Sequence, residues 1–190
     1  MNLLLLGPQG SGKGTQAKRI SADHGIPHVS TGEMFRALDA SSGLGREVEA
    51  IMARGELVPD DLTIRMIEER LLEDDAREGF ILDGFPRNLA QAEALDAMLA
   101  AIGKRLDAIL FFDVPDEIAR ARALGRAHEE GRNDDTPESI GRRLAIYHEQ
   151  TEPVVHHYRT TGRLVPLHAS RDVGEVHAEI QEALEQVAVR

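Results

Sequence analysis

The chain has 190 residues, 33 acidic and 22 basic, for a formal net charge of −11 with its eight histidines neutral. Apolar residues make up 42% and charged residues 29%, the balance of one folded domain of ordinary size rather than a disordered tail. There is no cysteine, which excludes disulfides, thiolate zinc sites and cysteine nucleophiles together.

Leu3–Leu6 is a short apolar run that stops at Gly7, which predicts a strand buried on both faces. A helical pattern follows from Gly14 to His24 and ends at Gly25; Ile26–Val29 predicts the second strand. From Ser30 to Pro59 the glycines at 32, 43, 45 and 55 punctuate short helical pieces with no strand, so a small helical insertion is expected. Phe80–Leu82 predicts the third strand. The next helix runs from Asn88 to Gly103, with Leu89, Ala92, Leu95 and Leu99 on one face. Ile109–Phe112 predicts the fourth strand, and Asp116 opens a helix that carries Ile118, Ala121 and Arg122. The polar, glycine-flanked stretch from Gly125 to Asp135 reads as a short mobile loop. Thr136 and Pro137 read as the cap and first residue of a further helix, and Leu164–Leu167 predicts the fifth strand. Strands alternating with helices require right-handed crossovers. The fold class is therefore α/β, a doubly wound five-stranded parallel sheet with helices on both faces.

The first chemical signal is Gly7-Pro8-Gln9-Gly10-Ser11-Gly12-Lys13-Gly14-Thr15, placed between the first strand and the first helix. Glycines let backbone N–H groups wrap phosphate oxygens, the helix N-terminus adds positive potential, and Lys13 supplies a point charge. Gly14 stands where the general pattern has Ser or Thr, so spacing alone does not give a direct hydroxyl ligand for magnesium. After the second strand, Ser30-Thr31-Gly32-Glu33-Met34-Phe35-Arg36 places Thr31 and Arg36 about one turn apart, able to face a common pocket. At the end of the third strand stands Asp83-Gly84-Phe85-Pro86-Arg87, with Gln91 four residues beyond Arg87. Ligands of open α/β sheets bind beyond the carboxyl ends of the strands. There Asp83 suits magnesium or its waters, Arg87 suits a phosphate, and Gln91 suits a base edge. Arg122, Arg126, Arg132, Arg142 and Arg143 form a local basic excess in an acidic chain. Phosphoryl transfer needs such a set around the migrating group, although Arg142 reads best as a surface residue.

The motifs GPQGSGKGTQ (Gly7–Gln16), STGEMFR (Ser30–Arg36), ILDGFPRNLAQAE (Ile81–Glu93), FFDVP (Phe111–Pro115), the Arg122/Arg126 pair, GRNDD (Gly131–Asp135) and RRL (Arg142–Leu144) occur in order over nearly the whole chain. Together they resemble the adenylate kinase family, whose phosphate loop has this lysine-glycine-threonine form. The resemblance implies reversible phosphoryl transfer from Mg·ATP to AMP, giving two ADP. By the same resemblance, Gly10, Ser11, Gly12, Lys13, Gly14 and Thr15 would cradle ATP, with Arg122, Arg126 and Arg171 beside it. Thr31, Arg36, Leu57, Val58, Gly84, Phe85, Pro86, Arg87 and Gln91 would hold AMP, joined by Arg132 and Arg143. Lys13, Arg87, Arg122, Arg132 and Arg143 would surround the transferring group, and Asp83 would act on Mg2+ through water. The core of the P-loop type would comprise 1–29, 60–124 and 137–190, the nucleoside-monophosphate-binding insertion 30–59 and a short lid 125–136, without structural zinc.

A UMP, CMP or other monophosphate acceptor fits the same scaffold, and a nucleotide-binding switch is an alternative of another class. The acceptor-side residues Arg36, Arg87 and Gln91 speak against the switch. The acidic balance speaks against nucleic acid and anionic membranes as partners, since both recruit by a positive field. The apolar opening is far short of the roughly 20 residues of a membrane span and lacks the flanks of a secretion signal, so a cytoplasmic protein is expected; the family resemblance implies a monomer. His156 and His157 are sequence neighbours on a predicted helix, and Gly25 and Pro27 separate His24 from His28. No histidine metal site is expected from either pair.

Overall fold

In the computed structural model, which describes residues 1–188, the leucine run becomes β1 (Asn2–Leu6). Leu3 and Leu5 belong to one buried cluster and Leu4 and Leu6 to another, because successive strand side chains point to opposite faces. This two-sided burial places β1 at the centre of a parallel sheet with β2 (His28–Ser30), β3 (Phe80–Asp83), β4 (Ala108–Asp113) and β5 (Leu164–His168), in the order β2-β3-β1-β4-β5. Leu4 pairs with Leu82 on one side and Ile109 on the other. Pro166 sits in β5, which pairs only with β4, the edge position at which a missing N–H is tolerated.

Helices α1 (Lys13–His24), α6 (Asp116–Glu130), α7 (Pro137–Ile146) and α9 (Val173–Ala188) cover the Leu3/Leu5 face. Ala17, Ile20, Ala119, Ala123, Ile140, Leu144, Ile180 and Leu184 fill the space beneath them. The other face is covered by α4 (Asp60–Leu71), α5 (Leu89–Ala101) and α8 (Glu152–Arg159), through Ile67, Leu71, Leu95, Leu99, Val154 and Tyr158. A π-helical turn, Tyr147–Thr151, joins α7 to α8. The expected doubly wound class is what the sheet shows.

Two local features depart from the sequence reading, and a third follows it. The second strand begins at His28 rather than Ile26, because Pro27 offers a carbonyl to the Ile81 N–H, at 2.9 Å, but has no N–H of its own. The stretch 30–59 does form short helices, α2 (Thr31–Arg36) and α3 (Gly43–Ala53). The residues from Gly125 onward are not an irregular loop, since α6 continues to Glu130. A single glycine costs a helix only about 1 kcal/mol relative to alanine, and Gly125 sits in open space with no positive φ. The breaker is Gly131, left-handed at φ 62, which leaves only a short connection before Thr136 caps α7. Among the described residues no helix is long and apolar enough to cross a membrane.

Candidate active site

The loop after β1 has three glycines with positive φ: Gly7, Gly10 and Gly12. At Gly10 the reason is spatial as well as torsional, because a Cβ there would stand 2.0 Å from the Ala119 carbonyl oxygen. Gly12 caps α1 without a side-chain hydrogen bond, so the first amides of that helix are not consumed by a capping side chain. They border a cavity of about 710 Å³ that opens beyond the carboxyl ends of β1 and β3, the anion-binding position of this fold class.

The Lys13 ammonium donates to the Gly7 carbonyl at 2.8 Å, the Pro8 carbonyl at 2.7 Å and Ser11 Oγ at 3.2 Å. Burial pushes its pKa down to about 8, with Arg87 and Arg126 acting the same way and Asp83 opposing them. Asp83, at the end of β3, is enclosed too, and burial alone would raise its pKa. The His28 hydrogen bond, at 3.2 Å, and the Lys13 charge more than offset this and hold the carboxyl below its ordinary range. Asp83 therefore stands in the cavity as an ionised oxygen donor.

Arg87 donates from Nε to the Gly84 carbonyl at 2.7 Å. Its pKa is lowered by burial and then by the neighbouring Arg143 guanidinium. Burial and Arg132 do the same to Arg36. Like charges are thus crowded into one space, and two consecutive carboxylates between Gly131 and α7 pair with three of them, Arg36, Arg126 and Arg143. Asp135, whose side chain is fully buried, accepts from Arg143 at 2.6 Å, Arg126 at 2.8 Å and Gln9 at 2.6 Å. Asp134 pairs with Arg143 at 2.9 Å and Arg36 at 3.6 Å. Arg122 donates to the Ala169 carbonyl at 2.6 Å and the Ser170 carbonyl at 3.1 Å, and Arg132 pairs with Glu130.

Of the residues singled out from the sequence for nucleotide, metal or phosphoryl contacts, all line this cavity except Thr31. Thr31 is 2% exposed, its hydroxyl lacks a hydrogen-bond partner, and a Cβ on Gly84 would come within 2.5 Å of it. Thr31 is thus placed by the close approach of its side chain to the Gly84 backbone rather than by contact with the cavity. Arg142 is more than half exposed and pairs with Glu56 at 2.9 Å. The roles of Gln9, His28, Asp60, Asp134 and Asp135 escape sequence reasoning. The GRNDD motif was the available signal for the aspartates, whereas His28 meets Asp83 only through strand pairing 55 residues apart.

The family model described as Adenylate kinase matches residues 5–163. The chain belongs to the adenylate kinase family. It is 49% identical over 185 residues to an adenylate kinase of Stenotrophomonas maltophilia strain R551-3, covering 97% of this chain and 99% of that protein. An adenylate kinase of Xanthomonas euvesicatoria pv. vesicatoria is similar to the same extent, again 49% identical over 97% of this chain and 99% of its own length. Membership accounts for the order of the motifs; the burial and pairing described above are read from this chain's own atoms.

Proposed function

We propose that the chain catalyses reversible transfer of the terminal phosphoryl group of Mg·ATP to AMP, forming two ADP. The observation that carries this is the convergence, in one cavity, of the phosphate loop with Lys13 and of Arg36, Arg87 and Gln91, with Arg122, Arg126, Arg132 and Arg143 lining the same space. A single-nucleotide switch has no use for the second set.

In this reading Gly10–Thr15 hold the ATP phosphates, with Arg122, Arg126 and Arg171 on the donor side. Arg36, Leu57, Val58, Gly84–Arg87 and Gln91 hold AMP, and Thr31 contributes from beneath Gly84. The attacking oxygen belongs to an already ionised phosphate, so no general base is required; positioning and electrostatics suffice. Lys13, Arg87, Arg122, Arg132 and Arg143 neutralise the charge that spreads over the migrating group. Asp134 and Asp135 keep Arg36, Arg126 and Arg143 aimed without reorganisation. Asp83, an ionised hard oxygen donor lining the cavity, fits a role in holding Mg2+ through water. The ion would neutralise charge on the ATP phosphates. The reading includes no structural zinc, because the chain has no cysteine.

The insertion at 30–59 and the lid at 125–136 are proposed to move against the core at 1–29, 60–124 and 137–190, closing on both substrates and excluding water. A cytoplasmic monomer without nucleic-acid or membrane partners is part of the same reading. The test is a coupled phosphotransfer assay with Mg·ATP and, separately, AMP, UMP, CMP and GMP. Rapid ADP formation with AMP is expected. Preference for UMP or CMP would overturn the acceptor assignment, and tight ATP binding without transfer to any acceptor would overturn the reaction.

A further inference from the structure

Gln91 is 2% exposed, in the first turn of α5, and borders the cavity beside Val58, Thr63 and Phe85. Both ends of its amide are held by the protein. Its Oε1 accepts the Arg87 backbone N–H at 2.7 Å, and its Nε2 donates to Asp60 Oδ1, also at 2.7 Å. A backbone N–H can only donate and a carboxylate can only accept, so these two neighbours set which end is oxygen and which is nitrogen. Asp60 is itself fixed. It opens α4 and receives the Asn88 amide at 3.0 and 3.1 Å, while Asn88 Oδ1 caps α5 by accepting the Gln91 N–H at 2.9 Å. Asp60 is absent from the cavity wall and stands behind Gln91.

We infer that Asp60 is a positioning residue that locks the Gln91 amide in one orientation and thereby makes the acceptor site select 6-amino over 6-oxo purine monophosphates. The inference rests on the reading that the acceptor base lies against Gln91. After its bonds to Arg87 and Asp60, the amide retains one N–H and one oxygen lone pair in fixed order. An amino base edge offers a ring-nitrogen acceptor and an amino donor, which complete that pair. A 6-oxo base offers a ring N–H and a carbonyl, which require the reverse order. Turning Gln91 over would set its oxygen against the Asp60 carboxylate and its NH2 against the Arg87 N–H. The wrong base therefore leaves buried polar groups unpaired, the device by which binding sites discriminate most sharply. The same order selects 4-amino over 4-oxo pyrimidines.

The experiment compares kcat/KM for AMP and for its 6-oxo counterpart, IMP, in the native enzyme, Asp60→Asn and Gln91→Leu. An asparagine at 60 can keep the Asn88 bond through its oxygen and offer its NH2 to a reversed Gln91, so that only the Arg87 N–H still opposes the turn. Asp60→Asn is expected to lower the AMP-to-IMP ratio about tenfold, the scale of one hydrogen bond. The change should appear in KM for the monophosphate, with KM for ATP unmoved, a split that general loosening of the fold would not give. Should Asp60→Asn fail to fold, Asp60→Ser removes the carboxylate and leaves a hydroxyl able to turn either way; the same fall is expected. A ratio within twofold of native in the Asp60 variant, with a collapsed ratio in Gln91→Leu, would overturn the lock. An unchanged ratio in Gln91→Leu would overturn the placement of the base itself, and the inference with it.

Discussion

Replacing Lys13 by methionine should remove turnover and at the same time stabilise the fold. Folding takes the ammonium into an enclosed loop, where its pKa falls from 10.5 to about 8. At about 1.4 kcal/mol per pH unit, that gap caps the cost of keeping the charge in the native state near 3 kcal/mol. Against this stand three hydrogen bonds to the Gly7 and Pro8 carbonyls and Ser11 Oγ. Their loss costs about 1–2 kcal/mol, since water in the cavity can reach the freed acceptors. Methionine keeps the length of the stem and carries no charge, so a net gain of about 1 kcal/mol is expected, or roughly 2–4 °C in Tm for a chain of this size. The pH dependence has a definite sign. Between pH 8 and 10.5 the unfolded lysine keeps its proton while the folded one has lost it, so the native protein gains stability as pH rises through that window. The methionine variant should lack this rise, so its advantage shrinks above pH 8 and by pH 9.5 has passed to the native protein, which gains about 2 kcal/mol over that span. Differential unfolding at pH 7 and pH 9.5, with single-turnover transfer from Mg·ATP to AMP, reads both consequences. A variant that transfers phosphate at near-native rate would refute the role of the loop, and a variant less stable than native at pH 7 would refute the burial cost.

Asp135→Asn should destabilise by about 2–3 kcal/mol in urea unfolding. A broken buried ion pair costs about 3–5 kcal/mol, reduced here because Arg126 and Arg143 are 30% and 12% exposed. Burial opposes ionisation of Asp135, but Arg126 and then Arg143 hold its pKa below 3.8. Its contribution is present above pH 4 and fades as pH falls through the folded value, so native and variant should converge in acid; a constant difference would contradict the pairing. Arg87→Ala and Arg122→Ala should each lose well over tenfold in turnover with the fold intact, on the scale of arginines at phosphoryl transfer, and near-native turnover in either would show that residue misplaced. Gly55→Ala should cost at least about 1 kcal/mol, because φ is +71 and a Cβ would meet the Ser139 carbonyl oxygen at 2.6 Å. Gly125→Ala, in an open helical position, should instead gain about 0.5–1 kcal/mol; thermal melts of the two glycine variants separate these cases.

The α/β class, the phosphate loop and most of the residues that meet in the cavity are legible in the amino-acid sequence. Each depends on a short-range signal. Apolar runs that end in glycine make buried strands, glycine spacing permits a phosphate cradle, and the carboxyl ends of parallel strands place Asp83 and Arg87 on one edge of the sheet. Other features are encoded by no local pattern. Where α6 ends depends on whether Gly125 or Gly131 adopts a left-handed conformation, and the helix bonds continuing past Gly125 outweigh one glycine. The pairing of Asp135 with Gln9 spans 126 residues, that of His28 with Asp83 spans 55, and that of Gln91 with Asp60 spans 31. Hydrogen-bond partners in a buried cluster are set by chain crossings that periodicity cannot see, and those crossings determine which charges stay ionised and which way an amide faces.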